Sequence, residues 1–133
     1  MPASGTLTLS KEERTCSKKL IEQLFNGGTA RSMSSFPLRA VYMLIPRTEN
    51  MPQAQMMISV PKRCLKHAVD RNRVKRQVRE AYRKNKAIVL DPMESHEEEG
   101  LVVAFIWMEN RLHSTQSVEQ HIVELLTHIA ERL

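Results

Sequence analysis

Aromatic residues and cysteines are scarce in this chain of 133 residues, which has three Phe, two Tyr, one Trp and two Cys. So few aromatic side chains exclude base stacking as the main mode of any nucleic-acid binding, because sheets that stack bases expose several of them. Cys16 and Cys64 stand far apart and form no CxxC motif. This excludes a disulfide framework and a zinc knuckle, and we expect two free thiols.

Long apolar runs are also absent. The longest, Leu101 to Met108, has eight residues, whereas a membrane-spanning helix needs about 20. The N-terminal MPASGTLTLSKEER lacks the apolar stretch of a secretory signal, so we expect a cytoplasmic protein in a reducing compartment, with no membrane partner. Length and composition exclude disorder and collagen-like repeats. They predict one domain spanning residues 1–133, with residues 1–9 flexible.

The excess positive charge is confined to one segment. The chain has 20 Lys and Arg against 15 Asp and Glu, a net charge of +5. Residues 62–86 contain eleven of the basic residues and two acidic ones, so this segment carries +9 and the remainder −4. A charge run is usually a solvated helix face, but such runs are balanced in sign and this one is not. The imbalance favours a surface that binds a polyanion.

Apolar runs predict the strands. Residues 38–45 (LRAVYMLI) and 54–60 (AQMMISV), separated by a loop with two prolines, indicate two strands joined as a hairpin. The continuously apolar run 101–107 (LVVAFIW) is typical of a strand covered on both faces, although a buried helix has the same pattern. Before it, residues 91–100 (DPMESHEEEG) predict an acidic loop, because Pro92 and Gly100 are breakers.

Helical periodicity appears three times. A short first helix is predicted between an N-cap at Ser17 and the stop Gly27-Gly28, with one apolar face formed by Leu20, Ile21, Leu24 and Phe25. A long central helix from Ala68 to about Lys86 has a stripe of Val74, Val78, Ala81 and Tyr82. The last helix combines a capping box, Ser117 with Gln120, and a stripe of Val118, Ile122, Leu125, Leu126, Ile129 and Leu133. The order of elements predicts an α+β sandwich with helices packed on a small sheet.

The central helix carries its cations opposite its apolar stripe. At about 100° per residue, one face contains an amide and five cations: Asn72, Lys75, Arg76, Arg79, Arg83 and Lys86. This face extends for about 21 Å, enough to follow several phosphates of a folded RNA or DNA. Lys62, Arg63 and Lys66 precede the helix, and Arg71, Asn72 and Arg73 open it, where backbone N–H groups favour phosphate. For Arg71, the alternative is an intramolecular salt bridge, for instance to Asp70 or to an acidic loop residue, but the few acidic neighbours in the sequence disfavour it.

Several motifs resemble the bacterial ribonuclease P protein subunit. AVDRNRVKRQVREAYR, residues 68–83, is similar to the signature helix of that family, with Arg71, Asn72 and Arg73 as its RNR core. SVPKR (59–63) resembles the strand end and basic turn before that helix, and LFNGG (24–28) resembles the end of the first helix. Phe36 stands where the family usually opens its first strand. Together these matches cover about residues 9–130 in the expected order.

The resemblance implies a particular fold. This is an α+β domain with a small mixed sheet and three helices, an αβββαβα two-layer sandwich with a left-handed βαβ crossover, similar to a domain of a ribosomal protein. Because the usual crossover is right-handed, its hand rests on the resemblance alone. The family sheet has four strands while the patterning predicts three, so we expect the fourth in the Ser-rich stretch near Arg31 to Ser35.

The resemblance also implies a function. Ribonuclease P removes the 5′ leader of precursor tRNA; its RNA subunit holds the catalytic Mg²⁺ ions, and its protein subunit binds that RNA and the leader. The implied partners are therefore the ribonuclease P RNA subunit and precursor tRNA, with no small-molecule substrate, no catalytic side chain and no cofactor or metal bound by the protein alone.

The resemblance also implies roles for the residues at the matching positions of this sequence. The resemblance implies that the RNA subunit contacts Arg71, Asn72, Arg73, Lys75, Arg76 and Arg79, and the charge pattern adds Lys62, Arg63, Lys66 and Arg83. Phe25, Phe36 and Arg39 are implied to line the cleft for the single-stranded leader. From the sequence alone, both phenylalanines are more often plain core residues. Many family members have an aromatic or apolar residue at the position of Arg39, so this cleft is expected to depend more on charge.

Two other functions remain as alternatives. A ribosomal or ribosome-assembly protein could use a similar basic helix, but RNR followed by KRxxRE favours the first interpretation. An autonomous metal-dependent nuclease would need clustered ligands. The five histidines are instead scattered, and Glu97 to Glu99 lie in a predicted loop without a partner.

Overall fold

The computed structural model describes residues 18–26, 30–47 and 52–133, except for the side chains of residues 18–20 and 26. These residues form α1 (Lys18–Asn26), β1 (Arg31–Ser35), β2 (Leu38–Pro46), β3 (Ala54–Ser59), α2 (Ala68–Asn85), α3 (Ala87–Met93), β4 (Glu99–Trp107) and α4 (Thr115–Glu131). The predicted flexible segment 1–9, the cap at Ser17, the thiol of Cys16 and the stop at Gly27-Gly28 lie outside the described residues. None of the described helices has the length and hydropathy needed to cross a membrane.

The four strands form one mixed sheet in the order β1-β2-β4-β3. β2 is antiparallel to both β1 and β4, whereas β3 is parallel to β4. The predicted hairpin of residues 38–45 with 54–60 is therefore wrong, because β4 lies between β2 and β3. The physical reason lies in β4, which is apolar along almost its whole length and is stabilised by a strand on each side as well as cover on each face. The fourth strand is β1, at the Ser-rich stretch where it was expected.

Helices cover the two faces of the sheet unequally. α2, α3 and α4 pack on one face around a large core that includes Tyr42, Phe105 and Trp107. On the other face, Leu24 of α1 packs against a smaller cluster formed by Val41, Met43, Val102 and Ala104. Burial on both sides confirms the prediction that the run 101–107 is a strand with no solvated face.

The connection from β3 to β4 contains one more helix than predicted. The central helix ends at Asn85, close to its predicted end, and α3 then takes in Asp91 and Pro92, which were assigned to the acidic loop. Val89 and Met93 of α3 are fully buried, so their packing outweighs the helix-breaking tendency of the proline. The loop is shorter than predicted at its other end too, since β4 begins at Glu99. The left-handed crossover stays a prediction of the resemblance.

The last helix confirms its predicted apolar stripe but not its cap. Its fully buried residues are Val118, Ile122, Leu125, Leu126 and Ile129, with Leu133 packed at the margin. The cap is Ser114, whose Oγ accepts a hydrogen bond from the Ser117 backbone N–H at 3.1 Å. Ser117 is thus the third residue of the helix, and the predicted capping box with Gln120 is wrong.

Candidate RNA-binding surface

The orientation of α2 is set by its contacts with the core and with α4. Val74, Val78, Ala81 and Tyr82 are buried in the main core. On the same side, the Gln77 amide nitrogen donates to the His113 carbonyl at 3.2 Å and to Thr115 Oγ1 at 3.1 Å. These contacts join α2 to the start of α4 and turn its opposite face to solvent.

The solvent face of α2 and the turn before it together form a surface rich in cations. Arg73 and Arg76 are exposed, and Lys75 and Arg79 are half-buried. None of these four side chains has a hydrogen-bond or ion-pair partner among the described residues. We define the basic surface as these cations with the exposed residues Lys62, Arg63, Lys66 and Asn72. Cations without internal partners remain free to bind phosphate.

Arg71 belongs to the same motif but is occupied within the protein. Its Nη1 donates hydrogen bonds to the carbonyls of Leu65 at 2.9 Å and Lys66 at 2.8 Å. The same turn is closed by the Cys64 N–H, which donates to the Pro61 carbonyl at 3.0 Å. The alternative of a salt bridge for Arg71 is therefore wrong, because its acceptors are two backbone carbonyls and not a carboxylate. Arg71 holds the turn that presents Lys62, Arg63 and Lys66.

The C-terminal part of the predicted cationic face differs from expectation. Arg83 is paired with Glu80, its Nε donating to Glu80 Oε2 at 3.0 Å, and this hydrogen bond lowers the pKa of Glu80. Lys86 is only 3% exposed, so its predicted place on the open face is wrong. It is the single residue between α2 and α3, and its carbonyl accepts from the N–H groups of Val89 and Leu90. Lys86 is thus buried at the break between the two helices.

The three residues expected in the leader cleft are all exposed. Arg39 of β2 alternates with the core residues Leu38 and Ala40, so it points to the face of the sheet that carries α1. Phe25 lies on α1 next to buried Leu24 and is 46% exposed, and Phe36, in the turn between β1 and β2, is 59% exposed. Neither phenylalanine is a core residue.

Phe36 shares an open depression with the basic turn. Its lining consists of Phe36, Arg63, Cys64, Met108, Glu109 and Asn110. Glu109 Oε2 accepts from His113 Nε2 at 3.0 Å and its Oε1 from Arg111 Nε at 3.3 Å. The hydrogen bond from His113, and then the one from Arg111, lower the pKa of Glu109. One residue predicted to bind RNA, Arg63, therefore lies beside one predicted to bind leader.

Glu109 and Asn110 were missed as candidate residues in the sequence. Their position in the sequence could have indicated them, because polar residues that follow a buried strand lie in the loop at its carboxyl end, and loops commonly carry functional residues. The Cys64 thiol is free, as predicted, and its Sγ lies 3.6 Å from the Trp107 carbonyl oxygen. Within residues 18–26, 30–47 and 52–133, no group of three or more His, Cys, Asp or Glu could hold a metal ion.

Fold and surface together define the class: a mixed α+β domain with one concentrated cationic surface. The Ribonuclease P family model matches residues 9–130. The chain is also 35% identical over 130 residues to the ribonuclease P protein component of two strains of Porphyromonas gingivalis, covering 98% of this chain and 92% of each relative. The chain therefore belongs to the ribonuclease P protein family, and with it to tRNA processing by a ribonucleoprotein nuclease.

Solved structures are similar in fold. A Staphylococcus aureus RNase P protein mutant with defective mRNA degradation activity matches with a TM-score of 0.65 at 16% identity, covering 98% of both chains. The RNase P protein from Thermotoga maritima matches with a TM-score of 0.63 at 20% identity, covering 87% of this chain and 96% of that one. At these identities the similarity concerns the fold alone, and it agrees with the mixed four-stranded sheet.

Proposed function

We propose that this chain binds the RNA subunit of ribonuclease P and the 5′ leader of precursor tRNA, and so assists removal of the leader in the cytoplasm. The observation that carries the proposal is the set of unpartnered cations on α2 in a chain that belongs to this family. The family match favours this function over that of a ribosome-assembly protein.

The basic surface is the proposed contact with the RNA subunit. Lys62, Arg63 and Lys66 lie on a turn held in place by Arg71, and Arg73, Arg76 and Arg79 follow on a helix fixed by the core. A backbone fixed in this way loses little conformational freedom when the surface binds a folded RNA, and each phosphate that the cations neutralise releases a counterion. Arg71 contributes by holding the turn, and Arg83 is drawn toward Glu80.

The leader is proposed to lie across the exposed residues Phe25, Phe36 and Arg39. Single-stranded RNA binds proteins through aromatic stacking and through cations along its backbone. Two exposed aromatic rings and one exposed guanidinium supply both kinds of contact on a small scale. The cleft residue Arg39 would contact a phosphate, in line with a cleft that depends on charge.

Cleavage itself is proposed to be carried out by the RNA subunit, which would hold the Mg²⁺ ions. The basic surface and the three leader residues provide cations, an amide and exposed rings, which position RNA. Leader removal would then be accelerated because the protein holds substrate against the RNA subunit.

The test is a reconstitution at low magnesium. The full chain is added to a bacterial ribonuclease P RNA, and removal of the 5′ leader from precursor tRNA is followed under single-turnover conditions. We expect faster cleavage with both subunits than with RNA alone, and no cleavage by the protein alone. Equal rates with and without protein would contradict the proposed function, and cleavage by the protein alone would contradict the assignment of the chemistry to RNA.

A further inference from the structure

The depression beside the basic turn combines three kinds of group that together suit one nucleotide. Phe36, 59% exposed, is the most exposed aromatic side chain among the described residues. Arg63 is an exposed cation, and Asn110 is an exposed amide. Neither has a partner within the described part of the chain. Glu109 completes the lining.

Glu109 differs from an ordinary surface carboxylate. Its side chain is 9% exposed, and its two oxygens are fixed by donors from His113 and Arg111. His113 is fixed in turn, because its ring packs edge-on against Trp107 with centroids 5.4 Å apart and its Nδ1 lies 3.3 Å from Ser117 Oγ. The carboxylate is therefore held at the end of β4, where each oxygen keeps capacity for one more hydrogen bond.

We propose that this depression binds one nucleotide of the single-stranded leader and discriminates its base. The base stacks on Phe36, Arg63 contacts the phosphate, and Glu109 accepts a hydrogen bond from the exocyclic amino group of the base. The proposal rests on the proposed function, and it assigns to Glu109 a role in leader specificity.

Discrimination follows from the chemistry of the carboxylate. An ionised Glu is an acceptor only, whereas the amide of Asn110 can either donate or accept. Cytosine offers an N4 amino donor where uracil offers the O4 acceptor. Uracil would therefore place its O4 acceptor against the Glu109 carboxylate, and the additional hydrogen bond that the amino group of cytosine donates would be lost. The two bases have the same ring size, so stacking on Phe36 does not separate them.

The test compares two precursor tRNAs that differ only in a leader of six cytidines or six uridines. Each is bound to the reconstituted holoenzyme, with calcium replacing magnesium to stop cleavage, and the dissociation constants are measured. We expect the cytidine leader to bind about 5- to 10-fold tighter. Equal affinity for the two leaders would overturn the proposal, and this comparison requires no variant.

Variants then assign the effect to residues. Glu109→Gln provides a donor as well as an acceptor, so the preference for cytidine should fall to about 2-fold or less. Phe36→Ala should weaken both leaders about 5- to 150-fold while leaving their ratio unchanged. Leu112→Ala is the matched control, because Leu112 is an exposed apolar residue of the neighbouring loop that does not line the depression. Melting curves confirm that each variant is folded.

The outcomes separate this proposal from the proposed function. A holoenzyme in which the protein stimulates cleavage, yet binds both leaders equally, retains the proposed function and overturns the nucleotide site. A protein that gives no stimulation overturns both. A folded Glu109→Gln variant that keeps the full preference for cytidine would contradict the role of Glu109 in base discrimination.

Discussion

The basic surface makes a quantitative prediction about salt. Replacing Arg73, Arg76 and Arg79 together with alanine removes three cations that have no partner in the described part of the chain. Each phosphate contact contributes about 0.7 to 0.9 to the slope of log affinity against log salt concentration. We therefore expect the triple variant to bind ribonuclease P RNA with a slope lower in magnitude by about 2.1 to 2.7.

The change in salt slope corresponds to a large change in relative affinity. Between 50 and 200 mM salt, a slope difference of this size changes the ratio of wild-type to variant affinity by about 20- to 40-fold. The variant should thus be much weaker than the wild type at low salt and closer to it at high salt. Filter binding or fluorescence anisotropy over this range measures both slopes.

A matched control variant separates the effect of where the arginines lie from the effect of net charge. The control variant replaces Arg31, Arg47 and Arg132, three exposed arginines outside residues 62–86, with alanine, so that its net charge equals that of the first variant. Its slope should stay near that of the wild type. Equal loss of slope in both variants would show that RNA senses overall charge, and the assignment of the basic surface would be refuted.

Three further predictions concern stability, each measured by urea unfolding. Phe105→Ala should lower the free energy of unfolding by about 3 to 5 kcal/mol, because the Phe105 ring is fully buried and its centroid lies 6.2 Å from that of the Tyr82 ring. A loss below about 1 kcal/mol would contradict the described core. Arg71→Ala should cost about 1 to 3 kcal/mol through its two hydrogen bonds to the turn, whereas the exposed Arg73→Ala should change stability by less than about 0.5 kcal/mol; equal effects would refute the structural role of Arg71. Hydrogen bonds with Glu99 and then with the Leu133 carbonyl raise the pKa of His96. The contribution of His96 to the free energy of unfolding is therefore complete below its ordinary pKa and is lost as pH rises through the raised pKa. The advantage of the wild type over His96→Gln should therefore be larger at about pH 5.5 than at about pH 8.5, and an advantage independent of pH would contradict this.

The hydrophobic patterns in the sequence predicted where the strands lie better than how the strands pair in the sheet. The runs 38–45, 54–60 and 101–107 are all strands, and the Ser-rich stretch supplies the remaining one. The hairpin failed because periodicity within a strand carries no information about its neighbour. The length of the apolar run in β4 is the informative sign, since a strand buried on both faces belongs in the middle of a sheet.

The candidate surface was predictable to the extent that helix geometry determines it. The 100° projection correctly separated the buried Val74, Val78, Ala81 and Tyr82 from the open face with Arg76. It could not show that Arg71 turns back to the carbonyls of residues 65 and 66, or that Lys86 is buried between two helices, because both depend on tertiary contacts. The depression at Phe36 was hidden for the same reason, since its lining comes from three separate parts of the chain.

Lys62, Lys66 and Lys75 belong to the basic surface that is proposed to contact the RNA subunit. Lysine footprinting tests this contact directly, by acetylating the full chain with and without a saturating amount of ribonuclease P RNA and measuring each site by mass spectrometry. We expect these three amines to react in the free protein and to be protected in the complex. Unchanged reactivity at all three, in a sample shown to be fully bound to RNA, would contradict the proposed contact.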